Sequence, residues 1–220
     1  MPYQNLLISL PSVKRSILRT KKKKKINSTK IAKKFGKEYF DGTRSCGYGG
    51  YYYDGRWKTV ARDIINFFKL KKNDKVLDVG CAKGFLVKDL LDQGIDAYGI
   101  DVSNYAIKNC HPQVLGRIAY GNAKNLLFKN NSFDAVISIN CIHNLKAKDC
   151  ETAIKEIERV SKSNKSFIQV DSYQNIREKK LFLDWVLTAK THYYTDKWIE
   201  IFKKCGYTGY WNWTILKSNE

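Results

Sequence analysis

The amino-acid sequence predicts an α/β fold, with a doubly wound, mostly parallel sheet that carries helices on both faces. Two observations lead to this prediction. From about residue 57 onward, short apolar runs of strand length alternate with segments of helical periodicity, and this alternation is typical of a parallel sheet. The chain also has 220 residues, of which 43% are hydrophobic, so we expect one globular domain with a full core.

The segment from Lys75 to Asp101 contains the clearest unit of this fold. Apolar residues over 76–79 suit a buried strand. Glycines at both ends of 80–84 permit a tight turn and a close approach of the backbone to a ligand, and a helical pattern follows. A second strand over 96–100 ends at Asp101, at the edge where open α/β sheets bind ligands. A carboxylate there can accept two hydrogen bonds from a ribose diol.

Two classes of nucleotide cofactor use a turn of this type. The dinucleotide fingerprint is G-x-G-x-x-G, but its positions hold Gly80, Ala82 and Phe85, so only the first glycine is present. Asp78 ends the first strand, and an acid there suits an amino group rather than a diphosphate. The turn therefore disfavours NAD, while a strand-helix-strand unit without any cofactor stays the structural alternative.

The pattern D-x-G-x-A-x-G, from Asp78 to Gly84, resembles motif I of class I S-adenosylmethionine-dependent methyltransferases, usually D/E-x-G-x-G-x-G. Ala82 replaces the middle glycine. Its single methyl group narrows the space at the turn but does not occupy all of it. The resemblance implies S-adenosyl-L-methionine as the cofactor and a seven-stranded sheet with the last strand antiparallel. It also implies that Asp78 and the turn hold the methionine part, and that Asp101 with its neighbour Val102 holds the ribose. The expected turn contacts are Gly80, Cys81, Ala82 and Gly84.

The resemblance continues downstream and covers about residues 57–216. Gly121, Asn122 and Ala123 stand where this superfamily often has G-D-A, and the side-chain oxygen of Asn122 can bond an adenine amino group. Residues 132–140 resemble the fourth strand, which ends at Asn140, a further expected cofactor contact. The match is specific for the superfamily and says little about the substrate.

An aromatic, glycine-rich loop over 38–57 precedes the first helix of this region. Its glycines favour a turn-rich loop over a helix, and the resemblance implies that it lies over the cofactor as a lid. Tyr51 would then offer a ring face to the sulfonium, and Arg56 could pair with the methionine carboxylate. The alternative is a packed surface loop in which Arg56 forms a structural salt bridge.

Candidate residues for the acceptor side follow the fourth and fifth strands. His143 could serve as a general base for a hydroxyl or amine acceptor, and Asp171 is a second candidate base. A histidine at this place is also common in the superfamily without a proven chemical role, and the sequence leaves both interpretations open.

The net charge of +19 is concentrated in residues 1–37, which hold 12 Lys and Arg and no Asp or Glu. We interpret this segment as a basic N-terminal arm and residues 38–220 as the methyltransferase domain. The arm either contacts nucleic acid or is a solvated, poorly ordered segment. Lysine outnumbers arginine 32 to 8, and arginine is the residue favoured for phosphate and base recognition, so we favour the solvated arm.

Cysteine content and hydropathy indicate the cellular environment that the sequence suits. Six scattered cysteines without a C-x-x-C pair suit a reduced cytoplasm better than a disulfide framework or a zinc site, and no metal is expected. No apolar run approaches the length of a membrane span.

From these observations we interpret the chain as an S-adenosylmethionine-dependent methyltransferase that acts on a small molecule such as a sugar or another metabolite. One alternative is a methyltransferase of tRNA or rRNA that docks through the basic arm. Another is a non-catalytic S-adenosylmethionine-binding protein. The sequence does not name the acceptor or the oligomeric state.

Overall fold

The computed structural model describes residues 1–10 and 22–217. Within these residues, six strands form one sheet that has helices on both faces. The strands are β1 (Lys75–Val79), β2 (Asp96–Asp101), β3 (Ile118–Tyr120), β4 (Ala135–Ile139), β5 (Ser166–Ser172) and β6 (Tyr210–Ile215). The α-helices are α1 (Lys22–Ala32), α2 (Lys37–Phe40), α3 (Trp57–Phe68), α4 (Phe85–Asp92), α5 (Asn104–Lys108), α6 (Ala147–Val160), α7 (Ile176–Trp185) and α8 (Thr195–Lys204). Two 3₁₀ turns lie at Pro112–Val114 and Ile142–Asn144.

The strand order is β3-β2-β1-β4-β5-β6, and every neighbouring pair is parallel. The direction of winding reverses between β1 and β4, so a crevice opens beyond the carboxyl ends of these two strands. The expected α/β class with a doubly wound sheet is confirmed. This order places the turn after β1 beside the segment after β4.

The expected seventh, antiparallel strand is wrong for the described residues. β6 pairs with β5 in parallel, from Phe167 opposite Tyr210 to Ser172 opposite Ile215. The chain between β5 and β6 contains α7 and α8, and a helical crossover returns the chain to the same end of the sheet, which makes the next strand parallel.

Amphipathic helices bury the two faces of the sheet. Val60 and Ile64 of α3 are fully buried and pack on one face with Val76 of β1. Ile154 and Ile157 of α6 pack on the other face. The apolar positions recur at the helical period, as the sequence predicts. None of the helices in residues 1–10 and 22–217 is long and apolar enough to cross a membrane.

The first ten residues lie against the sheet edge and its covering helix. The Gln4 N–H donates to the Trp211 carbonyl at 3.0 Å, and Asn212 Nδ2 donates to Asn5 Oδ1 at 2.9 Å. Leu6 is only 2% exposed and belongs to the core beneath α3. The expectation of a solvated arm over 1–37 is therefore wrong for residues 1–10, because their apolar side chains complete the core.

The second described part of the basic segment also contacts the domain. Ala32 of α1 is fully buried, and the Ser103 hydroxyl donates to the Phe35 carbonyl at 2.5 Å. Residues 11–21 lie outside the described residues, so the structure does not test whether this stretch binds nucleic acid. The division into an arm and a domain stays a prediction.

Candidate functional site

The turn between β1 and α4 has a backbone that few side chains tolerate. Gly80, Ala82 and Gly84 have φ values of +88°, +51° and +75°. A Cβ atom on Gly80 would overlap the thiol of Cys141, which follows β4. The turn is therefore folded tightly at the switch point of the sheet. Glycine at position 80 is required there, because a side chain would collide with Cys141.

Asp101 at the end of β2 holds this turn in place. Its Oδ2 accepts the Ala82 N–H at 2.8 Å, and its Oδ1 accepts the Ser103 N–H at 2.8 Å. The bond to Ala82 stabilises a left-handed conformation that alanine seldom adopts. A carboxylate has about four acceptor positions, so Asp101 keeps capacity for a diol. Val102, which is 40% exposed, follows it at the rim of the crevice.

Asp78 is a buried carboxylate at the end of β1. Burial, and to a smaller extent the nearby charge of Asp101, raise its pKa from 3.8 to about 7. Within the described part of the chain, no hydrogen bond or cation offsets this burial. Such a group favours a cationic ligand, since an ammonium would restore the charged form.

Tyr51 brings the aromatic loop over the turn. Its ring stacks on Phe85, the first residue of α4, with 4.8 Å between centroids and 21° between planes. Burial raises the pKa of its hydroxyl, and Tyr48, Asp78 and Asp101 add to the rise through their charges. The ring of Tyr51 therefore lies near both carboxylates of the crevice.

Asp41 and Lys83 form the first of two anchors that fix the loop. Lys83 Nζ donates to both carboxylate oxygens of Asp41 at 2.8 Å and to the Tyr51 carbonyl at 3.0 Å. The Tyr105 hydroxyl donates to Asp41 Oδ2 at 2.7 Å. Lys83 belongs to the turn itself, so the loop and the turn are joined directly.

Tyr53 forms the second anchor with α4. Its hydroxyl donates to Asp89 Oδ1 at 2.6 Å and accepts from Lys88 Nζ at 2.9 Å. Asp89 is fully buried and Lys88 is 7% exposed. The loop therefore sits on the start of α4, with one anchor before Tyr51 in the sequence and one after it.

The guanidinium of Arg56 forms a salt bridge with Asp54. Its Nε donates to Asp54 Oδ1 at 2.9 Å and to Oδ2 at 2.8 Å, and Nη2 donates to Oδ2 at 2.5 Å. This exposed pair precedes α3 and uses the planar fork that a substrate carboxylate would need. The geometry matches the structural salt bridge and not the expected contact with the methionine carboxylate.

The loop after β3 lies beside Asp101. The Gly121 N–H donates to the Asp101 carbonyl at 3.0 Å. Asn122 is partly exposed, and its Oδ1 accepts the Lys124 N–H at 3.2 Å, which leaves a second lone pair for an amino group. Ala123 is buried in the core. The placement is consistent with an adenine site next to the ribose site.

His143 and Asp171 form a closed, buried pair. The Asp171 N–H donates to His143 Nδ1 at 3.2 Å, and His143 Nε2 lies 3.2 Å from Asp171 Oδ2. Nδ1 is thus an acceptor, so the ring proton is on Nε2. Burial lowers the pKa of His143, and the charge of Asp171 offsets this only in part. Because both nitrogens are occupied and His143 is 2% exposed, the structure does not support its expected role as a free base.

A hydrogen-bonded chain links the ends of β4, β5 and β6. Gln169 Nε2 donates to Thr214 Oγ1 at 2.6 Å, and Thr214 Oγ1 donates to Asn140 Oδ1 at 2.9 Å. Asn140 has a φ of +52° and leads into Cys141, whose thiol faces Gly80. Asn140 therefore lies between the turn and the polar ends of β5 and β6.

Sequence reasoning did not find several residues of this crevice. Gln169 and Thr214 were missed, although Gln169 stands two residues before Asp171 in β5, on the same face of the strand, which was a usable signal. Lys83 and Asp41 were missed because nothing in the sequence connects them.

The comparisons with known proteins agree with the fold and the turn. Residues 77–168 match the family model described as a methyltransferase domain. The chain is 33% identical over 132 residues to an uncharacterized protein of Methanocaldococcus jannaschii, covering 60% of this chain and 49% of that protein. It is 25% identical over 175 residues to an uncharacterized methyltransferase of Geobacillus sp. strain WCH70, covering 71% and 81%. The chain spans about half the length of the Methanocaldococcus jannaschii relative, which is 49% covered.

Two solved structures share the fold at low sequence identity. A SAM-dependent methyltransferase of Methanosarcina mazei has a TM-score of 0.51 and 22% identity, covering 64% of this chain and 82% of that one. A methyltransferase of Haloferax volcanii, solved with a methyltransferase activator, has a TM-score of 0.53 and 22% identity, covering 70% and 73%.

The family model, the fold and the turn together define the class. Residues 77–168 match a methyltransferase domain, and this match together with the fold supports S-adenosyl-L-methionine as the cofactor. The residues present fit that cofactor, because Asp78 is a buried carboxylate that no described cation neutralises and Asp101 keeps acceptor capacity for a diol.

Proposed function

We propose that the protein transfers a methyl group from S-adenosyl-L-methionine to a small molecule. S-adenosyl-L-methionine supplies a methyl group already activated on a sulfonium. The observation that carries the proposal is the buried Asp78 carboxylate, whose pKa is raised to about 7, beside a turn whose backbone only small residues permit. An ammonium ion is the ligand that such a carboxylate favours most.

The residues of the crevice then have distinct roles in binding. Asp78 holds the ammonium group and Asp101 the ribose hydroxyls, with the turn backbone between them. Asn122 receives the adenine amino group. Tyr51 and its loop cover the turn and exclude water, since the loop is anchored to the turn through Asp41 and Lys83.

Methyl transfer from a sulfonium mainly requires that the acceptor atom be aligned with the S–C bond. The sulfonium releases a neutral thioether, which is a good leaving group. The protein therefore contributes chiefly by holding the two reactants in line. Asn140 precedes Cys141 at the rim of the turn. There it helps to orient the methyl acceptor. His143 does not act as a free base; it positions Asp171 through its Nε2 hydrogen.

A small acceptor is supported by the enclosure of this side of the crevice. His143, Gln169 and Asp171 are all less than 9% exposed, and a loop already covers the turn. A nucleic-acid acceptor through the basic segment stays the alternative, and residues 11–21 of that segment lie outside the described part of the chain.

The test is a labelling experiment with two pools of acceptor. The full chain is incubated with S-adenosylmethionine carrying a tritiated methyl group, together with either the small-molecule fraction or the total RNA of a cell extract. We expect label in the small-molecule fraction and its loss in Asp78→Asn. Label in RNA alone would replace this proposal with the RNA methyltransferase, and label in neither fraction would contradict transfer.

A further inference from the structure

Three buried side-chain oxygens near the acceptor side have no hydrogen-bond partner among the described residues. They are Asn144 Oδ1, Gln169 Oε1 and Asp171 Oδ1. Folded proteins leave few buried polar atoms unpaired, because each costs the desolvation of that atom. Gln169 is 7% exposed and Asp171 is 5% exposed, so bulk solvent has little access to them. A ligand that donates hydrogen bonds would pair with these atoms.

The three oxygens belong to one end of the sheet. Gln169 and Asp171 are two residues apart in β5 and therefore share a face. Asn144 Nδ2 donates to the Asn140 carbonyl at 3.3 Å, just beyond β4. Thr214 connects Gln169 to Asn140. The cluster thus lies towards the carboxyl ends of β4, β5 and β6, the side of the sheet where ligands of this fold bind.

The cluster also adjoins the methyl-donor side. Asn140 is followed directly by Cys141, and the Cys141 thiol lies against Gly80 of the turn. The charges of Asp78 and Asp101 both act on the Cys141 thiol. One residue therefore separates the polar cluster from the part of the crevice proposed to hold the cofactor.

The direction of the hydrogen bonds decides what the cluster can bind. The amide of Gln169 donates from Nε2 to Thr214 Oγ1, while its buried Oε1 has no partner. The Nε2 hydrogen of His143 is directed at Asp171 Oδ2, which leaves Oδ1. All three unpaired atoms are oxygens that accept. They favour N–H or O–H donors and repel carboxylates and phosphates.

We infer that the methyl acceptor is an amine whose N–H bonds are received by Asp171 and Gln169. This inference rests on the proposed methyl transfer. An amine presents several hydrogens to several acceptors, and its positive form matches the Asp171 carboxylate. An alcohol must lose its proton as it attacks, and a carboxylate is a weak base for that task.

The reaction balances with these groups. The bound ammonium first passes one proton to Asp171 Oδ1, which frees the lone pair of its nitrogen. This lone pair forms the new N–C bond, the S–C bond of the sulfonium breaks, and its electron pair stays on sulfur as a neutral thioether. The methylated nitrogen leaves as an ammonium, and Asp171 returns its proton to water. Because the oxygens are covered in this structure, the amine displaces covering side chains as it binds.

The test measures binding of matched pairs that differ only in amine and hydroxyl. The pairs are benzylamine with benzyl alcohol, 2-phenylethylamine with 2-phenylethanol, and glucosamine with glucose. Each is titrated into the full chain with and without S-adenosylhomocysteine. We expect at least one amine to bind about tenfold more tightly than its alcohol, as one charge-assisted hydrogen bond would give.

Two variants with opposite effects keep the test decisive. Asp171→Asn should abolish the preference for the amine, whereas Gln169→Glu should increase it. Asp134→Asn, at the amino end of β4, should leave it unchanged. Equal binding of amines and alcohols by the wild type overturns the inference. If S-adenosylhomocysteine still binds in that experiment, the proposed function is unaffected. Failure to bind S-adenosylhomocysteine counts against the proposed function instead.

Discussion

At the scale of single residues, the crevice depends on two carboxylates that are held differently, although burial raises the pKa of both. Asp101 is held by backbone N–H groups of Ala82 and Ser103, whereas Asp78 is buried without such support and its pKa is raised to about 7. For the free protein, the folded state retains the Asp78 proton to higher pH than the unfolded chain. The stabilising contribution of this group is therefore full below about pH 4 and is lost as the pH rises through about 7.

The cofactor reverses this balance, and the reversal can be measured. An ammonium bound at Asp78 favours the carboxylate, so binding releases a proton below pH 7. We expect the affinity for S-adenosylhomocysteine to rise by up to about tenfold per pH unit as the pH approaches about 7. Titration calorimetry from pH 5 to 8 measures this slope. Asp78→Asn should flatten it, and a wild-type affinity that does not change with pH would contradict the role of Asp78.

Asp101 gives a second prediction at this scale. Replacing it with alanine removes the ribose acceptor and releases the Ala82 N–H from its partner at 2.8 Å. We expect S-adenosylhomocysteine affinity to fall about ten- to a hundredfold, since hydrogen bonds to a charged group are worth roughly 1.5–3 kcal/mol. Asp96→Ala, at the other end of β2, is the control. An unchanged affinity in a folded Asp101→Ala protein would exclude the ribose contact.

At the scale of elements, the local unit was predictable and the long-range contacts were not. The sequence predicts the strand, turn and helix from Lys75 to Leu91, because apolar periodicity and glycine positions act locally. The anchors of the aromatic loop join residues 42 and 36 positions apart. The parallel direction of β6 depends on how α8 crosses the sheet. The closed pair of His143 and Asp171 spans 28 positions, so its geometry is a product of the fold.

The loop anchor is testable by amide exchange. Asp41→Asn removes the ion pair with Lys83, which has both Nζ–O distances at 2.8 Å. We expect faster hydrogen exchange over residues 38–57, because this contact ties the loop to the turn. Asp54→Asn breaks the exposed pair with Arg56 on the same loop and should change exchange far less. Equal effects of the two variants would mean that the loop is not held by Asp41.

At the scale of the whole molecule, the first ten residues are part of the domain. Leu6 is 2% exposed and Ile8 is 76% exposed, which makes them a matched pair. We expect Leu6→Ala to lower the free energy of unfolding by about 2–5 kcal/mol, because it leaves a cavity in the core. Ile8→Ala should change it by about 0.5 kcal/mol or less. Urea unfolding measures both, and a Leu6→Ala protein as stable as the wild type would return residues 1–10 to the status of a solvated arm.

The central claim is that the crevice beyond β1 and β4 binds an adenosyl cofactor and not a dinucleotide. Titration calorimetry of the full chain with S-adenosylhomocysteine and, separately, with NAD tests this claim most directly. The account predicts one S-adenosylhomocysteine bound per chain and no measurable binding of NAD, because the turn carries one of the three dinucleotide glycines. Binding of NAD without binding of S-adenosylhomocysteine would contradict the account.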